Sequence, residues 1–391
     1  MHSPDNYGYY MFNNQKFYSK YDVTTKAERV EDVKWIYNDE YFSSFDWTKE
    51  PVDSLPNLYA ARARKLREQY DYVILMYSGG ADSFNILDTF VNYNIKLDEV
   101  AHLINYEGSK DKNNSQSKEV FYVAKPKVDT LIKEKKLATI SRVVDITNRI
   151  ISYFNSKTKF DFIHTINSCG PQRLAQTKLY LEVDVWRNLV LSGKKVCFLW
   201  GGDKPKVKFK DGKYFFRFVD AAVHGSFMTT ADQLAGSDTS DNELFYWAPT
   251  FESTQIMIKQ AHLIKNYFSV ENNREYLKTI RYLENEEICG RYVVENNKQI
   301  MLGGELLKKM IYPNWNPSDN LRLKHSTGVF INTGSEWFWN NIDNPSSKIY
   351  LNGISHVLHS MNPCWKDGYI VRHSRLFPKK IKPIFSKNYY L

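Results

Sequence analysis

Ser78, Gly79, Gly80, Asp82 and Ser83 stand in one six-residue run, SGGADS, inside the stretch YVILMYSGGADS at residues 72–83. Two hydroxyls, a carboxylate and a glycine pair at this spacing suit an anion held together with a divalent ion. Adjacent glycines open backbone conformations closed to other residues and let an anion come close to bare N–H groups. Hydroxyls bond phosphate oxygens, whereas a carboxylate repels them unless a cation stands between. Asp82 therefore implies Mg²⁺ wherever it implies phosphate. The elements that must position these groups are a strand and a helix. The apolar run at residues 73–77 has the length and side-chain bias of a buried strand, and a helix-compatible run opens at Ala81. The turn between them would present unpaired amides and the positive end of a helix dipole to the anion. Without that chemistry, the same residues make a tight strand-to-helix turn with Ser or Asp as caps.

The run resembles the SGGxDS signature of the PP-loop ATP pyrophosphatases. That superfamily includes the synthetase domains of asparagine and GMP synthetases, tRNA thiolation enzymes and sulfate-activating enzymes. Ser78, Gly79, Gly80, Asp82 and Ser83 match, and Ala81 fills the variable position. No Gly-Lys-Ser/Thr follows the glycines, so the run is not a Walker A loop. The resemblance spans residues 71–205 and implies ATP and Mg²⁺ as ligands. It also implies cleavage between the α- and β-phosphates, with AMP passing to a substrate oxygen. Gly79, Gly80 and the helix amides would hold the departing pyrophosphate, Asp82 would hold the ion, and Ser78 and Ser83 would complete the nucleotide-binding set.

With 391 residues, 42% of them hydrophobic and 15% aromatic, the chain has ample material for a packed core. Its net charge of +9, from 53 basic and 44 acidic side chains, mildly favours anionic ligands such as ATP, tRNA or DNA. Cys169, Cys197, Cys289 and Cys364 form no CxxC pair, so neither a zinc ribbon nor a dense disulfide framework is encoded. Cys169 follows a strand candidate and could carry sulfur, but reads better as a spectator thiol. No signal segment opens the chain and no apolar run approaches a membrane span, which predicts a cytoplasmic protein with no membrane partner.

In chain order, residues 1–70 form an extension ending in a helix at residues 58–70, whose Arg62, Arg64 and Arg67 read as solvated. Strand candidates at residues 73–77, 100–106, 139–144, 160–166 and 196–200 alternate with helices. One of those helices is a long one at residues 171–191 that stops at Gly193. The expected fold is α/β: a doubly wound, mostly parallel five-stranded sheet, which the resemblance implies is of the HUP/PP-loop type, with a largely helical C-terminal region. Residues 107–118 read as a ligand-side loop or an idle one.

A second glycine turn, Trp200-Gly201-Gly202-Asp203-Lys204-Pro205, follows the run at residues 196–200. In a parallel sheet it lies on the same edge as the Ser78 turn. Gly201 and Gly202 would then join the cradle, Asp203 would ligate magnesium, and Lys204 would neutralise phosphate as the leaving group departs. A plain β-turn reads equally well, and the match to the glycines that many PP-loop enzymes carry after a late strand is inexact.

Residues 207–218 read as a basic hairpin turning at Asp211-Gly212. Its lysines and interleaved aromatics suit either base stacking or protection of a sheet edge, and the second reading is preferred. Residues 235–243 read as an exposed loop. A helix at residues 253–268 takes Ser253 as its N-cap and puts Lys259 and His262 on one face, read as a surface lysine beside a partly buried histidine, with a substrate-facing pair as the alternative. Further helices are expected at residues 274–287 and 302–311. From Tyr312 onward the chain turns irregular, ending in the basic PKKIKP at residues 378–383. The organisation read is thus residues 1–70 as an extension, 71–250 as the PP-loop domain with its hairpin, and 251–391 as a mainly helical region with an aromatic and basic tail.

The resemblance implies an ATP-dependent adenylating enzyme that activates a carboxylate or carbonyl oxygen of a small-molecule or nucleobase substrate for amide or amine ligation. It would be similar to asparagine synthetase without its glutaminase, since His2 stands where that enzyme has a nucleophilic cysteine. The lysine-, asparagine- and tyrosine-rich cast resembles stand-alone members from large tailed phages. Two alternatives are a tRNA- or DNA-modifying enzyme, thiolation included, and a nucleotide-binding protein without turnover.

Overall fold

A computed structural model of the chain describes residues 5, 8–104, 120–149, 152, 179–202, 205–220, 240–270, 293–295, 298–300, 302–315, 343–365 and 382–391. The N-terminal extension folds as β1 (Tyr9–Phe12), β2 (Gln15–Phe17), α1 (Lys20–Lys26), β3 (Lys34–Ile36) and α2 (Asp39–Ser43), with the strands in the antiparallel order β2-β1-β3. There follow α3 (Leu55–Gln69), β4 (Tyr72–Met76), α4 (Ala81–Asn92), β5 (Glu99–Ile104), α5 (Lys125–Lys133), β6 (Ile140–Asp145), α6 (Asp184–Leu191) and β7 (Val196–Trp200). The hairpin strands β8 (Lys206–Lys210) and β9 (Lys213–Arg217) come next, then β10 (Ser240–Leu244) and α7 (Phe251–Ser269). The remaining elements are β11 (Val293–Glu295), β12 (Lys298–Ile300), α8 (Leu302–Ile311), α9 (Pro345–Ser360) and β13 (Tyr389–Tyr390).

The central sheet has five strands in the order β10-β7-β4-β5-β6, all parallel. Central strands covered on both faces read as unbroken apolar runs, and β4 does so: Val73, Ile74, Leu75 and Met76 are all buried. From β4 the chain steps outward through β5 to β6, returns to the other side of β4 as β7, and ends at β10. This is the order expected of a doubly wound sheet, and the reversal falls between β4 and β7.

Several expectations are corrected. Part of the expected exposed loop at residues 235–243 is the edge strand β10, paired with β7 from Ser240 opposite Val196 to Leu244 opposite Trp200. Asn242 and Glu243 of this strand find partners. Trp200 Nε1 donates to Asn242 Oδ1 at 3.0 Å, and Arg62 and Tyr70 both donate to the Glu243 carboxylate. The expected strand at residues 160–166 lies outside the described residues. The expected helix at residues 171–191 is, in its described part, a 3-10 turn Leu179–Glu182 followed by α6, because Val183 is extended. Arg62 is fully buried rather than solvated, with Nη2 on Glu243 at 2.8 Å, and Arg67 pairs with Asp98; Arg64 is exposed. Thr250, not Ser253, caps α7: its hydroxyl accepts from the Ser253 N–H. Lys259 and His262 tie α7 to the extension. Lys259 Nζ pairs with Glu50, and His262 Nε2 bonds the Trp47 carbonyl at 2.9 Å.

One buried apolar cluster runs through the described chain from Tyr10 to Tyr389, so extension, sheet and tail share a core. The extension, the hairpin's exit and the tail meet at a dry ion pair. Lys20 Nζ lies 2.7 Å from Asp220 Oδ2, each side chain 1% exposed. Lys20 also donates to the Lys382 carbonyl, Tyr10 to Asp220, and the Ile384 N–H to Asp220 Oδ1.

Candidate active site

The SGGADS run joins the carboxyl end of β4 to the start of α4, as the sequence predicts. Gly79 has φ of +83°, a left-handed conformation that glycine adopts without a Cβ penalty. Gly80 is extended and precedes the first helical residue. The hydroxyls close a small ring: the Gly80 N–H donates to Ser78 Oγ at 3.3 Å, the two serine hydroxyls are 3.2 Å apart, and Ser83 Oγ donates to the Gly80 carbonyl at 3.1 Å. Ser78 is exposed and Ser83 buried, so the ring has a wet and a dry side. An arriving anion oxygen would compete for these hydroxyl hydrogens and for the first-turn amides of α4, which an α-helix leaves without intrahelical partners.

The second glycine turn lies against the first. A Cβ built on Gly201 would come within 2.9 Å of Asp82 Cβ and 3.1 Å of the Ser83 nitrogen. Only glycine permits that approach. The turns after β4 and β7 therefore form one mouth at the point where the strand order reverses, where open α/β sheets bind ligands. Asp203 and Lys204, the proposed metal ligand and catalytic cation, lie outside the described residues.

Asp82 is half-buried, and two tyrosines bond it. Tyr312, just past α8, donates its hydroxyl to Asp82 Oδ1, and Tyr246 donates to the Asp82 carbonyl at 3.0 Å. Asn85 Nδ2 in turn donates to the Tyr246 hydroxyl at 3.0 Å. Burial above all, with the Asp82 charge contributing, pushes the phenols of Tyr246 and Tyr312 well above their ordinary range, so both stay protonated donors. Sequence reasoning missed Tyr246 and Tyr312. They stand 164 and 230 residues from Asp82 in the chain, and no local pattern announces such a contact.

Beneath the mouth, His102 of β5 is fully buried. Its Nδ1–H donates to the Tyr77 carbonyl at 3.0 Å, which leaves Nε2 to accept from Ser141 Oγ at 3.4 Å. Burial lowers its pKa to about 4, so the ring is neutral at pH 7.

Among the described residues, no group of three or more His, Cys, Asp or Glu side chains could hold a metal ion by itself. The donor set still fits Mg²⁺, which is commonly bound by one or two carboxylates together with substrate phosphates and waters. Asp82 supplies the carboxylate, beside hydroxyls suited to phosphate. Among the described residues no helix is long and apolar enough to cross a membrane.

Comparison with protein-family models finds no match, and comparison with curated proteins finds none either.

Proposed function

We propose that the chain is an ATP-dependent adenylating enzyme of the PP-loop, HUP-type class. One observation carries the reading: the SGGADS turn and the Gly201 turn touch at the carboxyl edge of an all-parallel sheet, at its reversal point. In this reading Ser78, Ser83 and the first-turn amides of α4 receive the β- and γ-phosphates. Asp82 holds Mg²⁺, which would screen the charge that builds on the leaving pyrophosphate. A substrate carboxylate oxygen attacks the α-phosphorus, the α–β bridging bond breaks, and pyrophosphate departs as acyl-AMP forms. Ammonia or an amine then attacks the acyl carbon, releasing AMP and a proton and leaving an amide. The protein's part is placement and electrostatics. Gly202, Asp203 and Lys204 follow Gly201 and are assigned, from the sequence, to the cradle, a second hold on the ion and the leaving group respectively.

The test is incubation with Mg·ATP and panels of small carboxylates, nucleobases, tRNA and DNA, with and without ammonia, while AMP and pyrophosphate are followed. Stoichiometric AMP and pyrophosphate with one acceptor class is the expected result. Release of ADP and phosphate instead, or ATP bound with no cleavage under any acceptor, would refute it.

A further inference from the structure

Tyr312 is 1% exposed, and its hydroxyl hydrogen goes to Asp82 Oδ1. The residue is fixed from several sides. The Tyr59 hydroxyl donates to the carbonyl of the neighbouring Ile311, and Gln260 Nε2 donates to that Tyr59 hydroxyl at 2.9 Å. The Tyr246 ring packs 5.8 Å away, centre to centre. Two residues further on, Asn314 Nδ2 donates to Asp88 Oδ2 at 2.7 Å, so the segment after α8 grips α4 at both Asp82 and Asp88. A phenol this dry has no water to turn to. Rotating Asp82 away would leave a buried donor unmade, which costs as much as the bond itself. Tyr246 does something different, since its hydroxyl reaches the Asp82 backbone carbonyl rather than the carboxylate.

We propose that Tyr312 is a positioning residue that holds the Asp82 carboxylate in the rotamer that meets the divalent ion. The inference rests on the nucleotide reading above and adds to it that the segment after α8 sets the ion affinity of the loop after β4. A phenol donor bonded to one carboxylate oxygen fixes the plane of the group and leaves the ligand preorganised, so less ordering is needed when the ion arrives.

The experiment is calorimetric titration of the full chain with α,β-methylene-ATP, which cannot be cleaved at the adenylating bond, over a series of Mg²⁺ concentrations. Tyr312→Phe keeps the ring and is expected to raise the Mg²⁺ concentration needed for half-maximal binding by roughly tenfold, the loss of one charge-assisted hydrogen bond. Tyr246→Phe should leave that requirement near the wild-type value. In an Asp82→Asn background Tyr312→Phe should add nothing. A wild-type Mg²⁺ requirement in Tyr312→Phe overturns the proposal. So does an equal shift in Tyr246→Phe, which would make the effect general loosening of α4. Absence of nucleotide binding by the wild-type chain at saturating Mg²⁺ is a different failure: it removes the nucleotide reading itself, and the Tyr312 role with it.

Discussion

The mouth after β4 and the basic hairpin after β7 both look, in sequence, like places for an anion, yet the fold treats them in opposite ways. At the mouth one polar side chain of the run is left open to solvent. Ser78 is exposed, and the helix start behind it carries amides that the helix does not use. In the hairpin the chain lays aromatic rings against several of its own cations. The Arg217 guanidinium lies 3.4 Å from the Phe385 ring centre, Lys208 sits over the same ring at 5.5 Å, and Lys213 lies over Tyr390 at 5.7 Å. The interleaved aromatics are equally occupied: Tyr214, Phe215, Phe216 and Phe218 are buried, and Trp47 stacks on Phe216 at 5.0 Å. The lesson is that alternating charge and aromatic residues advertise a nucleic-acid platform only when no other part of the chain lies on them. Here β13 pairs with β9 and does so.

Substitutions can break this contrast between a structural region and a chemical one. The largest effect is expected at the dry pair behind the hairpin. Lys20→Ala strands Asp220 as a buried, uncompensated charge and should cost about 3–5 kcal/mol in urea unfolding. Nucleotide binding by the fraction still folded should be unchanged. Asp82→Asn and Ser83→Ala should do the reverse: unfolding midpoints near wild type, with pyrophosphate release down by roughly 100-fold or more. Full activity in both would dismiss these roles and, with them, the contrast.

A smaller effect belongs to His102, which bonds the residue just before Ser78. Its folded pKa of about 4 is below the ordinary histidine value, chiefly through burial. Below about pH 6.5 the unfolded chain takes up a proton that the folded chain refuses. Its contribution is therefore complete above that pH and is lost as pH falls toward 4, by about 3 kcal/mol in all. His102→Gln should flatten that part of the stability profile between pH 6.5 and 4, measured by urea midpoints. The smallest effect is expected at the hairpin tip. The exposed Lys210 and Lys213, replaced together by Gln, should change stability by less than about 0.5 kcal/mol. They should also leave tRNA and DNA retention at low salt unaltered. A steep, salt-sensitive loss would restore the nucleic-acid reading.

Much of this was legible in sequence because it is local. The runs that became β4 and β7 announce themselves by unbroken apolar composition, β5 and β6 by apolar runs broken at His102 and at Ser141-Arg142, and the hairpin by Asp211-Gly212, which both take positive φ. The SGGADS turn was placed by its neighbours alone. What could not be read depends on partners far along the chain. The edge strand β10, Ser-Asp-Asn-Glu-Leu, has no apolar alternation, and its Asn242 and Glu243 are met by Trp200, Arg62 and Tyr70. Arg62 looks like a surface residue until Glu243, 181 residues away, arrives beside it. Tyr312 sits where the composition turns irregular, and nothing nearby reveals that its hydroxyl ends at Asp82. For the candidate site, the groups proposed to meet phosphate were thus visible in the run itself, and the groups that steady them were not.

The meeting of Lys20, Asp220 and Ile384 has a consequence for how the molecule breathes. Outlying segments ordinarily fray first and exchange their amide hydrogens within seconds, but here residues 362 positions apart are tied through one anhydrous junction. The amides of Asp220 and Ile384, each bonded across it, should be among the slowest to exchange, opening only when the sheet itself comes apart.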